Sequence, residues 1–176
     1  MQVLTLGNEQ LRQKAEKVEK IDAEIAELTE KMFETLKAEQ GLGLAGPQIG
    51  VNKRIFVIHV PDDDPRVFIN PSIIETSAET SKCEEGCLSI PGVYANIVRA
   101  ETVKLQAWNE KGKPFTIEAS GLVARVIQHE HDHLEGILFT DHLPQDKRDK
   151  LIEKYEKGEL TRKKRTGSRE QVAGSR

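Results

Sequence analysis

Ile21, Ile25, Leu28, Met32, Phe33 and Leu36 recur at spacings of three and four among charged neighbours, which draws one apolar stripe along a helix. The spacing predicts a helix over 22–39, with Asp22 as its N-cap and Gly41 as its stop. Further on the period changes. Apolar and polar positions alternate, or β-branched residues gather, over 54–60, 67–70, 73–81, 98–108 and 115–119, and these runs predict strands. Val103, Leu105 and Ala107 alternate with polar neighbours, and NEKGK at 109–113 turns the chain into the next strand. A second helix is expected from Ser120, its N-cap, through Leu122, Val123, Val126 and Ile127 to about Leu134, with Gly136 ending it. A third follows Pro144 over about 146–157, capped by Asp146 and stopped near Gly158, with Leu151, Ile152 and Tyr155 as its stripe. Helices and strands arrive in separate blocks instead of alternating, so the expected class is α+β with a mostly antiparallel sheet.

A chain of 176 residues is long enough for one sizeable core, and a single domain is expected over 1–158, followed by a trailing segment, 159–176. Its 37% hydrophobic and 31% charged residues belong to the ordinary globular range. No run approaches 18 apolar residues, and the opening MQVLTLGNEQ lacks a basic stretch followed by an apolar one, so neither a membrane span nor a signal peptide is expected. The two cysteines, Cys83 and Cys87, are too few for a disulfide framework; a reducing, cytoplasmic setting is expected, with thiols available to a metal. The net charge of -3 is uneven: residues 162–176 hold six basic side chains against Glu170, or +5, which leaves -8 on the first 161. That basic tail reads either as a solvated terminus or as a contact for an anionic partner such as RNA.

Candidate chemistry concentrates in QHEHDHLEG, 128–136, on the second helix. Residues four apart share a helix face, so His129 and His133 can aim at one point, whereas His131, about 200° round the axis from each, faces elsewhere and reads as an exposed bystander. The pattern is HExxH: two imidazole ligands, with Glu130 placed to act as general base towards a water on the metal. A third protein ligand is expected, leaving one position open. In the long HExxHxxGxxH motif it is a histidine where this chain has Phe139, and His142 comes three residues too late. The candidate upstream is Cys87 in CEEGCLSIPG, 83–92, since a thiolate with two imidazoles suits iron(II), zinc, cobalt or nickel. The alternative is a closed structural zinc site that also takes Cys83; it leaves Glu130 without a task. GLGLAG, 41–46, satisfies GxGxxG literally, but it follows a helix and runs through Pro47 towards a strand, so no nucleotide cofactor is expected. Its glycines instead indicate a loop whose backbone approaches a ligand or the metal site closely, with Gln48 presenting an amide.

Taken in order, GLGLAGPQIG, EEGCLSIPG and QHEHDHLEG resemble the peptide deformylases over about residues 1–145. The resemblance implies an α+β fold of mostly antiparallel sheets around a central HExxH-bearing helix. It also implies a metal-dependent enzyme that removes the formyl group from N-formylmethionyl peptides and nascent chains. Carried over by position, it gives Cys87, His129 and His133 as metal ligands and Glu130 as the catalytic carboxylate, with the Gln48 amide and the Leu88 N–H as oxyanion donors. The usual ion is iron(II), with zinc, nickel or cobalt as substitutes. Metal-bound water is then the nucleophile, and Glu130 passes its proton to the departing amine. The peptide is expected to lie extended between Gly43 in the glycine stretch and Gly86 in the cysteine segment. Leu42, Leu122 and Val126 line the methionine pocket, though the last two read equally as core, and Tyr94 borders the groove. Arg99 is expected to pair with Glu85 behind the cysteine segment. The place of Arg125 relative to the pocket edge is open. Gly46 departs from the alanine usual in the family, which implies a more flexible loop. Ribosome docking through the helix after Pro144 or through the basic tail is a further expectation.

Overall fold

The computed structural model describes residues 1–160, so the basic stretch 162–176 lies outside the described residues. Three helices, α1 (Ala23–Ala38), α2 (Gly121–Leu134) and α3 (Gln145–Glu156), accompany seven strands. The strands are β1 (Gly43–Ala45), β2 (Ile55–Ile58), β3 (Arg66–Thr76), β4 (Thr80–Cys87), β5 (Ile90–Ala100), β6 (Thr102–Trp108) and β7 (Pro114–Ser120). Five form an antiparallel sheet in the order β1-β2-β3-β6-β7, while β4 and β5 make a separate antiparallel hairpin. The class is α+β, as the pattern predicts.

Alternation along β2 explains the layering. Ile55 and Val57 join Ile25, Met32 and Leu36 of α1 in one buried cluster; Phe56 and Ile58 point the other way, into a cluster with Ala124, Val126, Ile127 and Leu134 of α2. The sheet therefore lies between α1 and α2. A third cluster, with Ile90, Val93, Ile97 and Phe139 at its centre, packs the hairpin against the C-terminal part of the chain, where Leu151 and Tyr155 of α3 contribute partly buried side chains. Helix α2 thus has the large sheet on one side and the hairpin on the other.

Several boundaries differ from the expectations. The runs 73–81 and 98–108 each break in two, because the chain leaves the large sheet after Thr76 and returns to it at Thr102. The crossover is tied by Ser77, whose N–H donates to Thr102 O at 3.0 Å while its hydroxyl accepts from Thr102 N at 3.0 Å. Conversely, 67–70 and 73–76 form one strand, β3, running through Pro71 with register shifts on either side of Ile73. Asn70 tolerates a left-handed φ of 49° there, and its amide both donates to and accepts from the backbone of Val18. Part of the glycine stretch is strand β1. Asp22 caps α1 as expected, but the left-handed residue that ends the helix is Gln40, not Gly41. Ser120 occupies the N-cap of α2 without a side-chain capping bond, and Gly136, at φ 72°, closes its end. Pro144, not Asp146, occupies the N-cap of α3. No helix among the described residues is long and apolar enough to cross a membrane.

Candidate metal centre

Cys87 closes β4, and His129 and His133 lie one turn apart on α2. One donor atom from each comes within 4.8 Å of the others, the only such cluster among the described residues, with Cys87 Sγ 3.3 Å from His133 Nε2. A tetrahedral ion at ordinary metal–sulfur and metal–nitrogen lengths needs two such donors about 3.6 Å apart, so the set fits. Cys83 is buried on the same strand but is not in the cluster. Ser81 and Glu85 of that strand reach α2, so alternation puts Cys83 on the same face; it is kept from the histidines by its distance along the strand, four residues or about 13 Å before Cys87. The closed four-ligand arrangement is not formed. His131 is half-buried instead of exposed and stands outside the cluster. His142 lies 2.7 Å from Asp132, not at the donors, and Phe139 stacks on the His129 ring at 6.0 Å.

Electrostatics prepare the cluster for a cation. Burial pushes the Cys87 thiol up, but the facing His133 and His129 rings outweigh it and bring its pKa down to about 5, so a thiolate is present at neutral pH. Burial disfavours a charged His129, yet Cys87 and Glu85 hold its pKa well above the ordinary value. A cation that takes the imidazole must therefore displace a proton. His129 Nδ1 is 2.8 Å from Glu85 Oε1; a carboxylate only accepts, so Nδ1 carries the proton and the neutral ring keeps its lone pair on Nε2. His133 Nδ1 and Glu130 Oε2 are buried with no partner among the described protein groups. For Glu130, burial raises the carboxyl to about 7 against the pull of both histidines, the range in which a general base works best near neutrality.

Glu85 holds this arrangement from behind. Fully buried, it accepts from Arg99 Nε at 2.6 Å and Nη2 at 3.0 Å and from Arg125 Nη1 at 2.7 Å, in addition to His129. Burial alone would raise its pKa; the bonds from His129 and Arg99 win and keep it well below the usual carboxylate range. Arg99 also donates to Asp132 at 2.9 Å. The Arg99–Glu85 pairing was legible in the sequence; the reach of Glu85 to His129, and the inward turn of Arg125, were not. Their only sequence signal was an acidic residue two positions before the cysteine and an arginine one turn before the first histidine.

A cavity of about 330 Å³ opens onto the cluster, walled by Leu42, Gly43, Gln48, Gly86, Cys87, Leu88, Tyr94, Val126, His129 and Glu130 among others. Leu122 is not on this wall; it packs against the α2 core cluster, a turn away from Val126. Gly43 is glycine for space: a Cβ would lie 2.5 Å from Glu130 Oε1 and 2.7 Å from its Cγ. Gly86 meets the Tyr94 ring equally closely, with 2.7 Å to Cε1 from an added Cβ. Gln48 is buried and fixed at both ends, its Oε1 accepting from Ala45 N at 2.9 Å and its Nε2 donating to Ser89 Oγ at 3.1 Å, with Cys87 Sγ at 3.6 Å. Gly46 is not loosened: a Cβ would meet the Val51 and Lys53 carbonyls at 2.8 and 2.9 Å, so the turn is tightly packed where a flexible loop was expected. After it the chain passes into a short 3-10 turn, Gly46–Ile49, and not into the helix N-terminus that a dinucleotide fingerprint requires.

Comparison with known proteins agrees with this geometry. The family profile described as polypeptide deformylase matches residues 1–149. The chain belongs to the peptide deformylase family. Its relatives include the peptide deformylase of Neisseria meningitidis serogroup C, 46% identical over 159 residues that cover 89% of this chain and 95% of that one. Among solved structures, the Ehrlichia chaffeensis peptide deformylase in complex with actinonin superposes with a TM-score of 0.86 at 43% identity, covering 90% of this chain and 97% of the other. The Legionella pneumophila peptide deformylase superposes with a TM-score of 0.85 at 41% identity, covering 90% and 94%. The residues matched by the family profile include the whole cluster and its cavity wall.

Proposed function

We propose that the chain hydrolyses the N-formyl group from the formylmethionine of N-formylmethionyl peptides and nascent polypeptides, releasing formate. The observation that carries this reading is the meeting of Cys87, His129, His133 and buried Glu130 at one cavity whose wall at Gly43 has no room for a side chain. In this reading Cys87, His129 and His133 hold iron(II), with zinc, nickel or cobalt as substitutes. Such an ion supplies Lewis acidity: it lowers the pKa of a water and polarises the formyl oxygen. Glu130 takes the proton of the attacking water and returns it to the departing amine, a transfer favoured by a carboxyl that titrates at about 7. The Gln48 amide and the Leu88 N–H donate to the oxyanion; Ala45 and Ser89 hold the Gln48 side chain in place, and the N–H directed at Cys87 Sγ is the one that turns to the oxyanion. The peptide extends between Gly43 and Gly86 by main-chain pairing, which leaves later side chains unread. Leu42 and Val126 receive the methionine side chain, and Tyr94 borders the groove.

Replacing Glu130 by Gln tests this directly: formate release from formyl-Met peptides should fall about 100-fold or more while the metal content stays unchanged. Normal turnover in that variant would sink the proposal. We further propose a cytoplasmic enzyme of one catalytic domain, 1–158, that docks on the ribosome through α3 or the basic tail. Sedimentation with ribosomes should lose protein truncated after Gly158 if the tail makes the contact; equal binding assigns no role to the tail.

A further inference from the structure

The three metal donors sit on two separate elements, Cys87 on β4 and the two histidines on α2, so their spacing depends on how α2 lies against the β4–β5 hairpin. The apolar side of α2 packs on the large sheet through Ala124, Val126, Ile127 and Leu134. Its contact with the hairpin is polar, and Arg125 makes most of it. This side chain is 3% exposed and absent from the cavity wall. Its Nη1 donates to Glu85 Oε2 at 2.7 Å and to Ile97 O at 3.0 Å; its Nη2 donates to Ser81 O at 2.9 Å and Ser81 Oγ at 3.0 Å. One guanidinium therefore grips both strands of the hairpin one turn before His129. It also shares Glu85 with the Nδ1 of that histidine. Gln128, donating to Ala100 O at 2.9 Å, and Asp132, accepting from Arg99, complete the same face of the helix.

We infer that Arg125 is a positioning residue for the metal centre, locking α2 to the hairpin so that the Cys87 thiolate and the two imidazoles keep one spacing and release the ion slowly. Both donor sets are reached from this side chain: His129 through Glu85, and the strand leading to Cys87 through Ser81 and Glu85. A lysine cannot reproduce the grip, because an ammonium lacks the planar fork that spans Ser81 and Glu85 together. The inference rests on the reading of Cys87, His129 and His133 as metal ligands.

Cobalt(II) provides the test, loaded without air into the wild type, Arg125→Lys, Arg125→Leu and Cys87→Ser. Two quantities are followed, the thiolate-to-cobalt absorption band and the rate of cobalt loss to excess chelator from the folded protein. Loss should be about 10- to 100-fold faster in Arg125→Leu, with a shifted band, and intermediate in Arg125→Lys, the range found when partners of metal ligands are removed. An arginine that served stability alone would lower the unfolding temperature of the cobalt-free variants and leave cobalt loss at the wild-type rate, and that result would overturn the inference. Should Arg125→Leu not fold, a wild-type rate in Arg125→Lys overturns it equally. A Cys87→Ser protein that keeps the full thiolate band would instead remove the ligand assignment, a failure distinct from that of Arg125.

Discussion

Gly43 shows how a residue with no functional group can serve a reaction. Its missing side chain is the space that the Glu130 carboxylate fills, 2.5 Å from where a Cβ would stand. Gly43→Ala must push either β1 or the carboxylate aside, and with Glu130 as the proposed base a misplacement of that size costs roughly 100-fold in rate. Formate release should fall accordingly while cobalt or zinc content stays at one ion per chain; unchanged turnover would mean that the backbone yields instead. The same scale explains the order of importance among the histidines. His129 gains its role from Glu85, which fixes the tautomer, and His131, two positions on, meets none of these partners.

Among the elements, α1 and α2 have opposite duties although both are amphipathic. Met32, fully buried on α1, belongs to the cluster beneath β2 and β3. Met32→Ala should cost about 2–5 kcal/mol of stability, measured by urea unfolding, and leave kcat of the folded enzyme within about twofold, since Met32 is not on the cavity wall. A large loss of kcat in the folded variant would show that α1 supports the site after all. Helix α2 cannot be perturbed so selectively, since its apolar face builds the core while its polar face carries His129, Glu130, His133 and Arg125. Strand β4 shares that double use. Ser81 and Glu85 bind Arg125 from it, and Cys87 at its end meets the histidines.

For the whole molecule, a centre assembled from β4 and α2 makes metal binding a term in folding, because the unfolded chain does not hold the three donors together. The midpoint of thermal unfolding should rise with free cobalt or zinc, by about 2.7 kcal/mol of stability at one hundred times the dissociation constant, and should be flat in Cys87→Ser. A wild-type midpoint insensitive to chelation would contradict a metal held across these two elements. Much of this architecture was legible beforehand. Period and turn chemistry located the three helices and the strand-rich middle, helix phase chose His129 and His133 over His131, and the failed match at Phe139 directed attention to Cys87. What residue type could not reveal is which sheet a strand joins: 73–81 and 98–108 look continuous because β-forming Ile, Val and Thr stand on both sides of the crossings at Ser77 and Glu101. Leu122 and Val126, one turn apart on the same helix, both pack in the cluster that α2 makes with the large sheet, and only the folded arrangement shows that Val126 also reaches the cavity wall. The sequence by itself thus determined the local elements, the donor types and the pair that shares a helix face, since these follow from spacing along one backbone. The tertiary structure alone decided that Glu85 binds His129 and that Arg125 turns inward, because both depend on the packing of α2 against a hairpin 28 to 44 residues away along the chain.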